Sequence, residues 1–84
     1  IMNKRDPEAR IRMALHRLCK SHGRPVDGGT RIEMRLTHRE LANMVGVTRE
    51  TATRAIARLE SEKLIEVRSR VFLVPAPDRL IEDD

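Results

Sequence analysis

The chain has 84 residues, 39% apolar and 36% charged, enough for one small folded domain and too few for a two-domain enzyme. Its 17 Lys and Arg against 13 Asp and Glu leave a net charge of +4, and a single Cys excludes an internal disulfide. No apolar run approaches the roughly 20 residues that span a bilayer, and one aromatic residue, Phe72, leaves almost no means of stacking on nucleic-acid bases.

Asp6-Pro7-Glu8-Ala9 combines an N-cap, a proline at the first helical position and an acid near the positive end of the helix dipole. Ile11, Ala14, Leu15, Leu18 and Cys19 recur at helical spacing and stop before Gly23-Arg24-Pro25. This predicts a helix over 7–22 with Arg10, Arg12, Arg17 and Lys20 on its outer face. Residues 23–30 hold three of the four glycines and read as a loop. Arg31-Ile32-Glu33-Met34-Arg35-Leu36 alternates polar with apolar, the pattern of a half-buried strand. Thr37-His38-Arg39-Glu40 is a capping box, Leu41, Met44 and Val45 form the apolar stripe behind it, and Gly46 ends this short helix. Val47 is a short buried link to a second helix over 48–62, capped by Thr48 and striped by Ala52, Ala55, Ile56 and Leu59. Two short helices joined by a turn containing Gly make a helix-turn-helix. Residues 64–67 and 71–74 then read as strands around Arg68-Ser69-Arg70, closed by Pro75, so the fold is mainly α with a small antiparallel sheet.

The charge is uneven. Residues 76–84 carry Arg79 and four acids, Asp78, Glu82, Asp83 and Asp84, so residues 1–75 hold 16 bases against 9 acids: a basic body with an acidic tail. Such a body fits a polyanionic partner, and the 14 Arg against 3 Lys suit bidentate contact with guanine or phosphate. At about 100° per residue, the face of helix 48–62 opposite its stripe carries Glu50, Arg54, Ala57 and Ser61, with Thr53 beside them and Arg49 at the tip. Charged side chains near the N-terminus and small ones beyond it let a helix reach base edges in a major groove. The competing reading is a solvated face on which Glu50 and Arg54 pair across one helical turn.

Leu36-Thr37-His38-Arg39-Glu40-Leu41-Ala42, Val45-Gly46-Val47-Thr48-Arg49-Glu50-Thr51-Ala52-Thr53-Arg54 and Leu59-Glu60-Ser61-Glu62-Lys63-Leu64-Ile65 together resemble one known frame. It is the DNA-binding half of the cyclic-AMP receptor protein and fumarate-nitrate reductase regulator (Crp/Fnr) family. The gluconate-repressor family of winged helices shares much of this frame, and the Arg-Glu-Thr-x-x-Arg string at 49–54 discriminates between the two. The resemblance implies a winged helix-turn-helix over 7–75, entered through a hinge or linker at 1–6 in which Asp6 takes the place of a hinge aspartate. An N-terminal β-roll sensor and a long dimerisation helix would lie outside this chain, which begins at Ile1 and reads as a piece of a longer protein.

By the same resemblance Arg49, Glu50 and Arg54 occupy base-reading positions, with Thr53 joining them. Thr37 and Thr48 occupy phosphate-contacting positions, with Thr51 beside them and Arg68 and Arg70 on the wing. Two departures stand out: Ala57 replaces a basic residue that can occur there, and the wing turn has Ser69 in place of its usual glycine. The implied partner is double-stranded DNA with a GTG-like half-site core, and RNA polymerase is a candidate second partner. The full-length protein is expected to be a cytoplasmic homodimer governed by an effector, such as a cyclic nucleotide or a metal cluster, in the N-terminal domain. The present chain is expected to be mainly monomeric and without cofactor, because its apolar stripes are used up by one small core.

Cys19-x-x-His22 has ligand-like spacing, but His16 and His38 complete no metal set, so no metal is expected. Gly28 and Gly29 lack the context of a phosphate loop, and no Ser, His and acid constellation stands out, so an enzyme is not expected. A winged helix that only binds proteins is the remaining alternative, and it requires apolar residues on the outer face of helix 48–62.

Overall fold

The computed structural model describes residues 6–81. Of the hinge expected at 1–6, only Asp6 lies among them. Its side chain accepts from the Glu8 amide (3.2 Å) and starts helix α1, Pro7–His22. This helix has the bounds that its cap and periodicity predict, and it buries Ile11, Ala14, Leu15, Leu18 and Cys19.

The segment after it corrects the sequence reading twice. Residues 23–30 are not a loop but most of a hairpin, β1 (Gly23–Val26) and β2 (Gly29–Ile32), joined by the two-residue turn Asp27-Gly28. Gly28 sits at φ 90, a left-handed conformation that glycine adopts without steric cost. Pro25 is tolerated because β1 is an edge strand. The strand expected over 31–36 ends at Ile32. The Glu33 amide donates to the His22 carbonyl (2.8 Å), and the chain then bends through Glu33 and Met34 before Leu36 enters the core.

Helix α2 spans His38–Val45 and helix α3 spans Arg49–Ser61. The capping box is complete: the Thr37 hydroxyl accepts from the Glu40 amide (3.0 Å), and the Glu40 carboxylate accepts from the Thr37 amide (2.8 Å). Gly46, at φ 76, closes α2. Met44 does not belong to the buried stripe. It is 52% exposed, and Ala42 is buried instead, because Leu41, Ala42 and Val45 share an arc of about 100° that Met44 lies outside. Val47, expected to be buried, is half-buried against the core. Helix α3 ends in a Schellman motif, with Leu64 donating to the Leu59 carbonyl and Lys63, at φ 61, donating to the Glu60 carbonyl (both 3.0 Å).

Strands β3 (Glu66–Arg68) and β4 (Val71–Val74) follow, and the sheet order β1-β2-β4-β3 joins both hairpins. Leu64 and Ile65, read as the start of a strand, are buried ahead of the ladder rather than in it. Phe72 and Val74 point into the core beneath the sheet with Ile32, Leu15, Leu41, Ile56 and Leu59.

The acidic tail expected at 76–84 begins on the body of the domain. Residues 77–80 form a 3₁₀ turn packed on α1, with Leu80 fully buried, and only Glu82, Asp83 and Asp84 of the expected acidic tail lie outside the described residues. The apolar Leu80 side chain anchors the turn. Arg12 then satisfies two carbonyls of the turn, donating to Leu80 (2.7 Å) and Arg79 (3.1 Å).

Candidate nucleic-acid interface

Helix α3 divides cleanly along its length. Ala52, Ala55, Ile56 and Leu59 are buried, while Arg49, Glu50, Arg54, Ala57, Arg58 and Ser61 are exposed. The Thr48 cap places the first turn: its hydroxyl accepts from the Thr51 amide (3.1 Å) and donates to Thr51 Oγ1 (2.9 Å), which also receives Arg54 Nη2 at 3.5 Å. Thr48, Arg49, Glu50, Thr51 and Arg54 are thereby gathered at the N-terminal end of α3. Glu50 pairs with Arg49 at 3.9 Å, so the pairing with Arg54 that a merely solvated face would use is not the one formed. Thr53 faces α2. It is half-buried, and its hydroxyl lies 2.8 Å from Nδ1 of His38 on α2.

A second group forms where the β3–β4 hairpin meets α2. The turn residues Ser69 and Arg70 have φ 50 and 66, the doubly left-handed turn that matches the twist of a hairpin. Neither is glycine, so each carries a cost of about 1–2 kcal/mol, which the flanking ladder must offset. The Arg70 carbonyl accepts from the Leu36 amide (2.9 Å), tying the hairpin tip to the residue before the Thr37 cap. Arg68 is exposed and pairs with Glu66 at 2.8 Å.

The Thr37 amide, then the Thr37 hydroxyl and the charge of Arg70, hold the Glu40 carboxyl below the ordinary carboxylate range. A lowered folded value means that the contribution to stability is complete above the unfolded value, about 4.3, and is lost as pH falls through the lowered one. Thermal melts should therefore show a melting temperature that drops on acidification below that range, and Glu40→Gln should flatten the drop. Glu33, lowered mainly by its bond from Arg31, will leave a residual slope.

Not all the basic charge is available to a partner. Arg10, read as an outer-face residue, donates to the carbonyls of Val45 and of Gly46 (3.3 Å for the latter) and so caps the C-terminus of α2. Arg12 holds the 3₁₀ turn. Sequence spacing carries no signal for either, since their partners lie more than 30 residues away. The partner of His38, Thr53, is likewise set by the packing of α2 on α3 rather than by sequence spacing. The ligand-like pair at 19 and 22 separates: Cys19 is buried, which pushes its thiol up, and His22 is exposed beside Ser21. Among the described residues no three His, Cys, Asp or Glu side chains converge, and no helix is long and apolar enough to cross a membrane.

The family model of the Crp-like helix-turn-helix domain matches residues 9–82. The chain belongs to this family. It is a Crp-like helix-turn-helix domain, and the gluconate-repressor alternative lapses. It is 33% identical over 73 residues to the global nitrogen regulator of Nostoc sp. (strain PCC 7120), covering 87% of this chain and 33% of that regulator. The global nitrogen regulator of Synechococcus elongatus is 34% identical over the same length. Among solved structures, the CO-dependent transcription factor CooA from Carboxydothermus hydrogenoformans superposes with a TM-score of 0.82 at 26% identity, covering 90% of this chain and 35% of CooA. Reduced CprK without ligand gives 0.80 at 25% identity, covering 94% of this chain and 38% of CprK. The Crp-like chain thus spans about a third of the length of the relatives it matches.

Proposed function

We propose that this Crp-like domain reads a specific half-site in double-stranded DNA by setting α3 in the major groove. Arg49, Glu50, Thr53 and Arg54 contact base edges, while Thr37, Thr48, Thr51, Arg68 and Arg70 hold phosphates. The observation that carries this reading is the two-faced α3: its apolar stripe is fully used by the core, and the exposed face is charged at the N-terminal end, with the small Ala57 and Ser61 beyond it flanked by Arg58 and Glu60. A protein-binding winged helix would need apolar residues on that face.

In a full-length cytoplasmic regulator, two copies would place their α3 helices in successive grooves about 34 Å apart, under an effector bound outside this domain. RNA polymerase is the partner through which bound DNA would be acted upon. The chain by itself is expected to sediment mainly as a monomer at micromolar concentration, since its helical stripes serve one core; a tight dimer would contradict this.

Salt titration of DNA binding tests the proposal. Each neutralised phosphate should add about −0.9 to the slope of log affinity against log salt, and Arg68→Ala or Arg70→Ala should weaken binding to all sequences alike and reduce the slope by about 1. A slope near zero overturns the proposal. A changed base preference in either variant would move the wing off the phosphates.

A further inference from the structure

We propose that His38 is a positioning residue for base selectivity, setting which way the Thr53 hydroxyl presents its hydrogen-bonding groups to the DNA. This inference rests on the reading of α3 as the groove-reading helix. His38 is the first residue of α2, half-buried, with Nδ1 2.8 Å from Thr53 Oγ1. Thr53 lies one turn beyond Arg49 and Glu50 and next to Arg54, at the seam where α2 packs against α3.

A threonine hydroxyl has one proton and two lone pairs, and a histidine Nδ1 is either an acceptor or a donor. When Nδ1 accepts, Thr53 donates inward and shows only lone pairs outward, which suits an amino group of cytosine or adenine. When Nδ1 carries a proton, Thr53 accepts inward and its own proton is free for guanine O6 or N7, or for thymine O4. The α2–α3 contact therefore selects between two complementary base edges without His38 itself reaching the DNA. The remaining reading-face residues have no such choice: Glu50 only accepts, and Arg49 and Arg54 only donate.

The test measures binding of the 84-residue chain to duplexes in which each half-site position is varied to all four base pairs. The proteins compared are the wild type, His38→Leu, His38→Asn, Thr53→Val and the double variant His38→Leu/Thr53→Val. His38→Leu and Thr53→Val should change preference at the same single base pair by about two- to tenfold, the weight of one neutral hydrogen bond, and leave the other positions alone. The double variant should go no further than either single one. His38→Asn, whose amide is carried on Cγ as Nδ1 is, should restore the preference.

The proposal is overturned if His38→Leu keeps the wild-type profile or changes a different position from Thr53→Val. It is equally overturned if the two effects add, or if binding falls uniformly over all duplexes, as a purely structural role requires. A wild type with no preference at any position would instead overturn the reading of α3, whereas a selective wild type with an insensitive His38 removes only this inference.

Discussion

Phe72→Ala is expected to destabilise the domain by about 3–5 kcal/mol, a large share of the roughly 5–15 kcal/mol that holds a domain folded. Phe72 is the largest fully buried side chain, on β4 at the centre of the sheet, and it supplies volume that the small Ala residues at 14, 42, 52 and 55 cannot replace. With no second aromatic residue in the chain, neighbouring side chains have little bulk with which to refill the cavity. Chemical denaturation should show the midpoint falling sharply, while Phe72→Leu, which keeps part of the volume, should fall less. An unchanged midpoint in the alanine variant would mean that the core is not organised around β4.

Glu50→Ala should relax specificity at one base pair by about 1–3 kcal/mol and leave non-specific affinity unchanged or raised. A carboxylate facing a polyanion is repelled by it, so its presence on the reading face is useful only if it accepts from a cytosine amino group. Arg49 and Arg54 on either side offer bidentate donors to guanine, and the three together would favour a G·C-rich half-site. Glu50 is exposed, and its ion pair with Arg49, at 3.9 Å, is loose enough to open on contact with DNA. If Glu50 only complements the helix dipole, the variant loses a little thermal stability and keeps its base preference. Binding to all four base pairs at each half-site position separates the two outcomes.

The three helices were legible because their ends are written in local chemistry: Asp6-Pro7, the Thr37/Glu40 box, Gly46 and Thr48 each act within a few residues. The first hairpin was obscured by the glycines and Pro25, although Asp27-Gly28 between short extended runs is itself a hairpin-turn signal. Alternation over 31–36 ran past the true strand end because the pull on Leu36 comes from the core and from Arg70, neither of which is local. The i, i+3 rule that puts Met44 in the core does not fix the centre of a two-turn stripe. The exposed face of α3 follows from helical geometry, but the partners of Arg10, Arg12, His16 and His38 arise only from the tertiary fold. His16 Nε2, for instance, meets Asp78 at 3.2 Å across 62 residues.

The sheet order β1-β2-β4-β3 has a mechanical consequence. The β1–β2 hairpin grows directly out of the end of α1, and β2 is laddered to β4 at Thr30–Val74 and Arg31–Leu73, so the β3–β4 hairpin cannot slide against α1 without breaking that ladder. At the opposite end Arg10 grips the last turn of α2, and the Leu36–Arg70 bond clamps the tip of that hairpin to the entry of α2. A torque applied at the first turn of α1 would therefore be delivered to α2, α3 and the β3–β4 hairpin as one rotation. A domain tied at both ends in this way is more easily turned as a whole than bent within itself.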